Sequence, residues 1–376
     1  MPRPGLKEWL RVSQVVATGR MMHHEGDLSS FTSRFERDLC RALNVEHAIT
    51  LNSGTSALVA ALVGAGVGPG DEVLIPAYTW VSTAAAPLSL GAIPVLVEIN
   101  ETLGMDPIDL KAKITPRCKA VIPVHMLNLV CDMDAIRHVA RDHNLVVIED
   151  ACQALGVMYK GLYAGCIGDV GAFSFNFYKN ISSGEGGAVV TNSSEVARRA
   201  RVYHDIGSFY KEYDYKSCDI DFYGVNLRVS ELTSAVLVAQ LGRLKPLIKR
   251  RMAHRRAMAK ELRQSDGYRI SPHNDEGNAA GLTIIFEDPA RARDFASRSL
   301  GVERIADVGR HCYSDWFGVL ECAARKGGDS TTSLYSRDMC ARTIGILERT
   351  CIISLGNRRP LSLSRYRARQ LLRGVH

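Results

Sequence analysis

Short apolar runs recur along the first two thirds of the chain, separated by stretches with helical periodicity. They are His47–Leu51, Glu72–Ile75, Ile93–Val97, Ala120–Val124, Val146–Ile148, Gly171–Phe175 and Ala188–Thr191. Several are rich in β-branched residues and bounded by Gly, Pro, Asn or Asp, which predicts strands. Most are apolar throughout and do not alternate, so the sheet they build is covered on both faces. Leu58–Val63 and Met133–Arg141 fit helices between them. The pattern predicts an α/β fold, a mostly parallel sheet of about seven strands with helices on both sides.

After about residue 240 the pattern changes. Leu244–Leu262 reads as one long amphipathic helix. Weaker strand signals follow at Leu282–Phe286 and Cys351–Leu355, with helical patterns between and after them. This predicts a smaller α+β unit. The expected division is a large domain over residues 1–242, with an N-terminal arm, and a small C-terminal domain over 243–376; two domains suit a chain of 376 residues. Lys326–Ser333 is polar, contains Gly327-Gly328 and reads as a loop.

Composition adds little to this picture: 46% hydrophobic and 23% charged residues are ordinary for a globular protein. The net charge is +7, with basic clusters at Arg243–Arg263 and Arg358–Arg373. These read as solvated faces of surface helices, so no nucleic-acid partner is expected, although the field favours an anionic ligand. Val81–Val97 contains Ser82, Thr83, Pro87, Ser89 and Gly91, and is better explained as a short helix, a turn and a strand than as a membrane span. Ten cysteines occur without a Cys-x-x-Cys pair, and the start MPRPGLKEWL lacks the apolar core of a signal peptide. Reduced thiols and a cytoplasmic location are expected.

Three segments carry candidate chemistry. Asn52-Ser53-Gly54-Thr55-Ser56 follows a predicted strand and opens a predicted helix. That arrangement is a phosphate site or a plain N-cap. In Val146–Gln153, Asp150 ends a buried strand, where ligands of open α/β sheets bind. An acid there pairs with a cationic ring nitrogen or caps the next helix. In Phe173-Ser174-Phe175-Asn176-Phe177-Tyr178-Lys179-Asn180, a lysine leaves a strand end among aromatics and precedes Gly184-Glu185-Gly186-Gly187. Most lysines are surface residues, but a partly buried one forms Schiff bases. Together, a phosphate cradle, a carboxylate for a pyridinium nitrogen and a Schiff-base lysine are the anchors that pyridoxal 5'-phosphate (PLP) requires.

Two other motifs are set aside. Gly64-Ala65-Gly66-Val67-Gly68-Pro69-Gly70 follows a helix and precedes a strand, the reverse of a dinucleotide fingerprint. His23-His24-Glu25 with Asp27 matches no common metal spacing.

The stretches NSGTSAL, PAYTWVSTA, IEDACQALG, GDVGAFSFNFYKNISSGEGGAVVTN and VNLRVSELTSA, spread over residues 35–240, resemble the DegT/DnrJ/EryC1/StrS family of PLP-dependent sugar aminotransferases. The resemblance implies the fold type of aspartate aminotransferase (PLP-dependent transferase fold type I) and a homodimer with shared active sites. It implies Lys179 as the Schiff-base lysine, Asp150 as partner of the pyridine nitrogen and Gln153 near the phenolic oxygen. Gly54, Thr55 and Ser174 would hold the phosphate, and Trp80 would stack on the ring. Asn226 would reach the phosphate of the other subunit's cofactor. The implied reaction transfers an amino group from glutamate or glutamine to a keto sugar, nucleotide-linked sugar or keto-cyclitol, with pyridoxamine 5'-phosphate as the intermediate form. Arg228 would bind the donor carboxylate or be structural.

Three segments depart from the family pattern: Gly19–Gly26 in place of the usual N-terminal substrate segment, Asn128 where glycine is common, and His311–Trp316, which matches no known substrate class. Rival readings are an aminobenzoate-forming synthase, a sugar dehydratase and a PLP-binding regulator without turnover. Lys179 stands against the dehydratase, whose relatives carry histidine there. The regulator is disfavoured by the intact set of anchors and by the lack of an evident DNA-binding helix pair.

Overall fold

The computed structural model describes residues 4–22, 27–207, 223–262, 267–327, 335–355 and 360–373. Nine strands form in the first part of the chain: β1 (His47–Leu51), β2 (Glu72–Pro76), β3 (Ile93–Val97), β4 (Cys118–Val121), β5 (Val146–Asp150), β6 (Met158–Tyr159), β7 (Leu162–Tyr163), β8 (Val170–Ser174) and β9 (Gly187–Thr191). Seven of them make one sheet in the order β1-β9-β8-β5-β4-β2-β3, and β6 with β7 forms a separate hairpin. Strands β8, β5, β4, β2 and β3 pair in parallel, while β9 runs antiparallel to both β8 and β1. Strand β9 can reverse because residues 175–186 join it directly to β8, whereas parallel neighbours need a crossover.

Helices Gly54–Gly64, Ser82–Ser89, Pro107–Ala112 and Met133–Asp142 supply crossovers. Each face of the sheet has its own core. One gathers Leu58, Leu62, Ile75 and Leu96; the other gathers Phe35, Leu39, Ile136, Val139 and Leu237. Helix Gly54–Gly64 is buried on nearly every side, so its sequence carries no polar stripe.

The fourth strand ends earlier than the apolar run Ala120–Val124 predicts. Pro123 has no N–H to offer the ladder, and pairing resumes only as an isolated bridge between Val124 and Asp150. The long helix spans Leu244–Leu262, as its periodicity predicts. Beyond it lie β10 (Tyr268–Ile270), β11 (Thr283–Phe286), β12 (Val302–Arg304) and β13 (Thr350–Ile353). They make an antiparallel sheet in the order β10-β11-β13-β12 around a core of Met258, Leu262, Ile284, Phe286 and Phe295. Tyr313, Trp316, Phe317 and Leu320 instead join the core beside helix Gly54–Gly64, which brings the His311–Trp316 segment to the main sheet. Of the loop expected at Lys326–Ser333, Lys326 and Gly327 end a helix and the rest lies outside the described residues. His23, His24 and Glu25 also lie outside them, and no metal-binding cluster occurs among the described residues. No described helix is long and apolar enough to cross a membrane.

Candidate active site

The carboxyl ends of β1, β5 and β8 meet the start of β9. Leu51 and Ser174 both pair with Gly187, and Asp150 pairs with Ala172. This edge is where open α/β sheets bind ligands. Helix Gly54–Gly64 begins there. Ser53 caps it, accepting from the Ser56 N–H at 3.1 Å, so the first turn points its free N–H groups at the edge. Backbone and side chains close tightly around this turn. A Cβ on Gly54 would fall 2.7 Å from Ser174 Cβ, and one on Gly187 would fall 2.1 Å from the Ser53 carbonyl oxygen. Only glycine fits at these two positions. The Thr55 hydroxyl is 2.7 Å from that of Ser82, tying the turn to the helix after Trp80.

Asp150 is the last residue of β5 and is buried. Its Oδ1 accepts from the Cys152 N–H at 3.1 Å and its Oδ2 accepts from the Thr83 hydroxyl at 2.8 Å. Thr83 in turn lies 2.7 Å from the Thr79 hydroxyl, so two buried threonines back the carboxylate. Glu149 points to the opposite face, as adjacent strand residues must. It accepts from the N–H groups of Gly165, Ile167 and Gly168 and from His125 Nε2 at 2.5–2.8 Å. This buried cluster fixes the strand end from which Asp150 projects.

Cys152 joins the parts of the site. Its Sγ would lie 3.1 Å from a Gly54 Cβ, its N–H holds Asp150, and its thiol feels the charge of Lys179. Burial, then the Asp150 carboxylate, pushes that thiol's pKa well up, so it stays protonated. Lys179 is half-buried, in a turn where its N–H donates to the Asn176 carbonyl at 3.0 Å. Its neighbour Asn180 donates to Asn128 Oδ1 at 2.8 Å and to the Leu155 carbonyl at 2.9 Å. Asn128 sits at φ 64°, a left-handed conformation that glycine favours and asparagine tolerates. Gln153 Oε1 accepts from the Leu127 N–H at 3.0 Å.

Trp80 is 44% exposed on the loop between β2 and the next helix. Against it packs His311, the first residue of the segment that departs from the family pattern. Asn226 is exposed, and its Oδ1 accepts from the Arg228 N–H at 3.2 Å. The Arg228 guanidinium pairs with Asp205, so its charge already has a partner. Thr83, Cys152 and Glu149 are site residues that sequence reasoning missed, and His311 was set apart only as part of an unmatched segment. Thr83 stands within PAYTWVSTA and Cys152 within IEDACQALG, but nothing local tells that either touches Asp150.

A helix N-terminus with a glycine turn, a buried carboxylate and a half-buried lysine within one strand edge suit a planar, phosphorylated, cationic ring. The class this defines is the PLP-dependent transferase fold of the aspartate aminotransferase type. Comparison with known proteins agrees: the chain belongs to the DegT/DnrJ/EryC1/StrS aminotransferase family, whose model matches residues 8–307. GDP-perosamine synthase of Caulobacter vibrioides is 41% identical over 215 residues, 57% of each chain. An L-glutamine:2-deoxy-scyllo-inosose aminotransferase of Micromonospora echinospora is 34% identical over 316 residues, 81% of this chain and 73% of that one. Among solved structures, 3-amino-5-hydroxybenzoic acid synthase superposes with a TM-score of 0.83 at 26% identity, covering 100% of this chain and 97% of that one. The matched stretches span from 53% to 73% of the curated relatives' own lengths.

Proposed function

We propose that the protein is a PLP-dependent aminotransferase acting between L-glutamate or L-glutamine and a keto group on a sugar, a nucleotide-linked sugar or a cyclitol. The observation that carries the reading is the meeting of Lys179, Asp150 and the Gly54 turn around Cys152. Relatives that act on a sugar or an inosose support the acceptor class. Bound there, PLP supplies an electron sink for a carbanion.

The chain's own residues divide the remaining work. Gly54, Thr55 and Ser174 hold the phosphate through N–H and hydroxyl groups. Asp150, backed by Thr83, holds a proton on the ring nitrogen through a charge-assisted hydrogen bond. Gln153, whose carbonyl oxygen is engaged by Leu127, offers its amide N–H to the phenolic oxygen. Trp80 covers one face of the ring. Lys179 would tether the cofactor, and its Nζ, when free, would be the base that accepts and returns the proton moved in the transfer. Asn226, exposed, serves the phosphate of a second subunit in a homodimer. We place the enzyme in the cytoplasm, with residues 1–242 as its cofactor domain and 243–376 as its small domain.

The test is an absorbance spectrum of the PLP-loaded protein before and after each donor. Loss of the visible band with one donor, and its return with a ketone, supports the reading and names the donor. A band that no amino donor removes would refute it. A second reading has one observation in its favour, the full-length similarity to 3-amino-5-hydroxybenzoic acid synthase. An aromatic amine among the products would select it.

A further inference from the structure

The segment His311–Trp316 matches no substrate class by sequence, yet it is built into the wall of the site. Thr79 N–H donates to the His311 carbonyl at 2.7 Å, and Tyr313 N–H donates to the Ala77 carbonyl at 2.8 Å. Tyr78 and Cys312 form the bridge between them. His311 N–H is held in turn by Asp315 Oδ2 at 3.1 Å. These bonds fix the residue's backbone to the loop that carries Trp80.

The imidazole packs edge-on against Trp80, with centroids 5.8 Å apart, and against Tyr78 at 6.3 Å. It lies within electrostatic reach of Lys179. Among the described residues, no protein group is hydrogen-bonded to either ring nitrogen, which leaves both for a ligand. Burial, then the cations of Arg310 and Lys179, lower its pKa to about 4. The ring is therefore uncharged at neutral pH. An uncharged imidazole carries one donor and one acceptor, the complement of an alcohol. It has much less to offer a carboxylate than a guanidinium does.

We propose that His311 is a specificity-determining residue that hydrogen-bonds a hydroxyl group of a polyhydroxylated ketone acceptor and takes no part in the amino-acid half-reaction. The proposal rests on the aminotransferase reading above. It assigns the unmatched segment to recognition of the acceptor, while Trp80 and Lys179 serve both half-reactions.

The test uses His311→Phe, which keeps a ring against Trp80 but has no nitrogen, and His311→Gln, which restores a donor and an acceptor. Adding pyridoxamine 5'-phosphate directly to the apoprotein gives the amine form without turnover. Binding of 2-deoxy-scyllo-inosamine and of cyclohexylamine to that form is measured by calorimetry. The wild type is expected to prefer the hydroxylated amine; His311→Phe should lose about tenfold of that affinity, the size of one neutral hydrogen bond, and His311→Gln should regain part of it. Cyclohexylamine binding and the rate at which the donor removes the visible band should not change. Unaltered inosamine affinity in His311→Phe overturns the proposal, as does a wild type that does not distinguish the two amines. A donor half-reaction slowed in parallel would assign His311 to holding Trp80 instead. Failure of any donor to react with the wild type counts against the aminotransferase reading and is seen separately from the calorimetry.

Discussion

The Thr83 hydroxyl donates to Asp150 Oδ2 at 2.8 Å, with both side chains buried. This bond orients the carboxylate. Thr83→Val keeps the volume and removes the donor. The expected outcome is about a tenfold weaker PLP affinity, of the order of one hydrogen bond, with recovery in Thr83→Ser. Fluorescence titration of the apoprotein with PLP measures it. Affinity equal to wild type in the valine variant would show that Cys152 N–H alone sets the carboxylate.

Lys179→Ala should bind PLP without forming a covalent link. Borohydride treatment followed by mass spectrometry should then leave the chain unmodified, whereas wild type gains one reduced cofactor. A reduced adduct on the alanine variant would move the tether to another lysine.

Gly54→Ala places a Cβ 2.7 Å from Ser174 Cβ, closer than packed carbons approach. The turn must shift, and its N–H groups shift with it. PLP affinity is expected to fall at least tenfold, while the protein stays folded because the strain is local. Near-wild-type affinity, measured by the same titration, would place the phosphate elsewhere.

Asn128 combines a left-handed backbone with a hydrogen bond from Asn180. Asn128→Gly loses the bond but suits the conformation; Asn128→Ala loses the bond and strains the backbone. The alanine variant should be less stable than the glycine variant by about 1 kcal/mol. Urea unfolding of the two compares them directly, and equal midpoints would mean that the turn relaxes.

His273 gives a pH dependence. Burial, then the nearby Arg255 cation, lowers its pKa from 6.5 to about 4. An unfolded chain takes up a proton on this ring near pH 6.5, and the folded one withholds it until about pH 4. Its contribution to stability is therefore intact above pH 6.5 and is lost as the pH falls toward 4. His273→Gln should flatten the decline of the urea midpoint across that window. An unchanged slope would assign acid sensitivity to other groups.

Much of the fold is legible because it is written locally. The run Val146–Ile148 is apolar on both faces, and the helix Leu244–Leu262 shows its period from end to end. Strand β4 misled because hydrophobicity continues past the regular ladder through Pro123, whose carbonyl accepts from Asp150 but which has no N–H to donate. The hairpin β6–β7 left no signal, since two-residue strands are too short to display a period. The proposed anchors Gly54, Asp150 and Lys179 could be singled out because each lies at or shortly after an apolar run, in a segment with its own local signature. Thr83 and His311 meet residues far from them along the chain, Asp150 and Trp80, and no spacing in the sequence encodes such contacts.

Strand β9 has a consequence for how this protein tolerates change. Its first residue, Gly187, pairs with Leu51 on one side and Ser174 on the other, so the loop bearing Lys179 is fastened at both ends to the strands that carry the phosphate turn. An insertion or deletion within residues 175–186 would displace the proposed tether, Lys179, from the proposed phosphate turn. The segment around His311 is tied to the Trp80 loop by backbone bonds and seated in the core by Tyr313 and Trp316. Only its partly exposed positions, His311 and the exposed Ser314 and Asp315, can change without disturbing that core, so drift in this segment is confined to the few side chains that face outward.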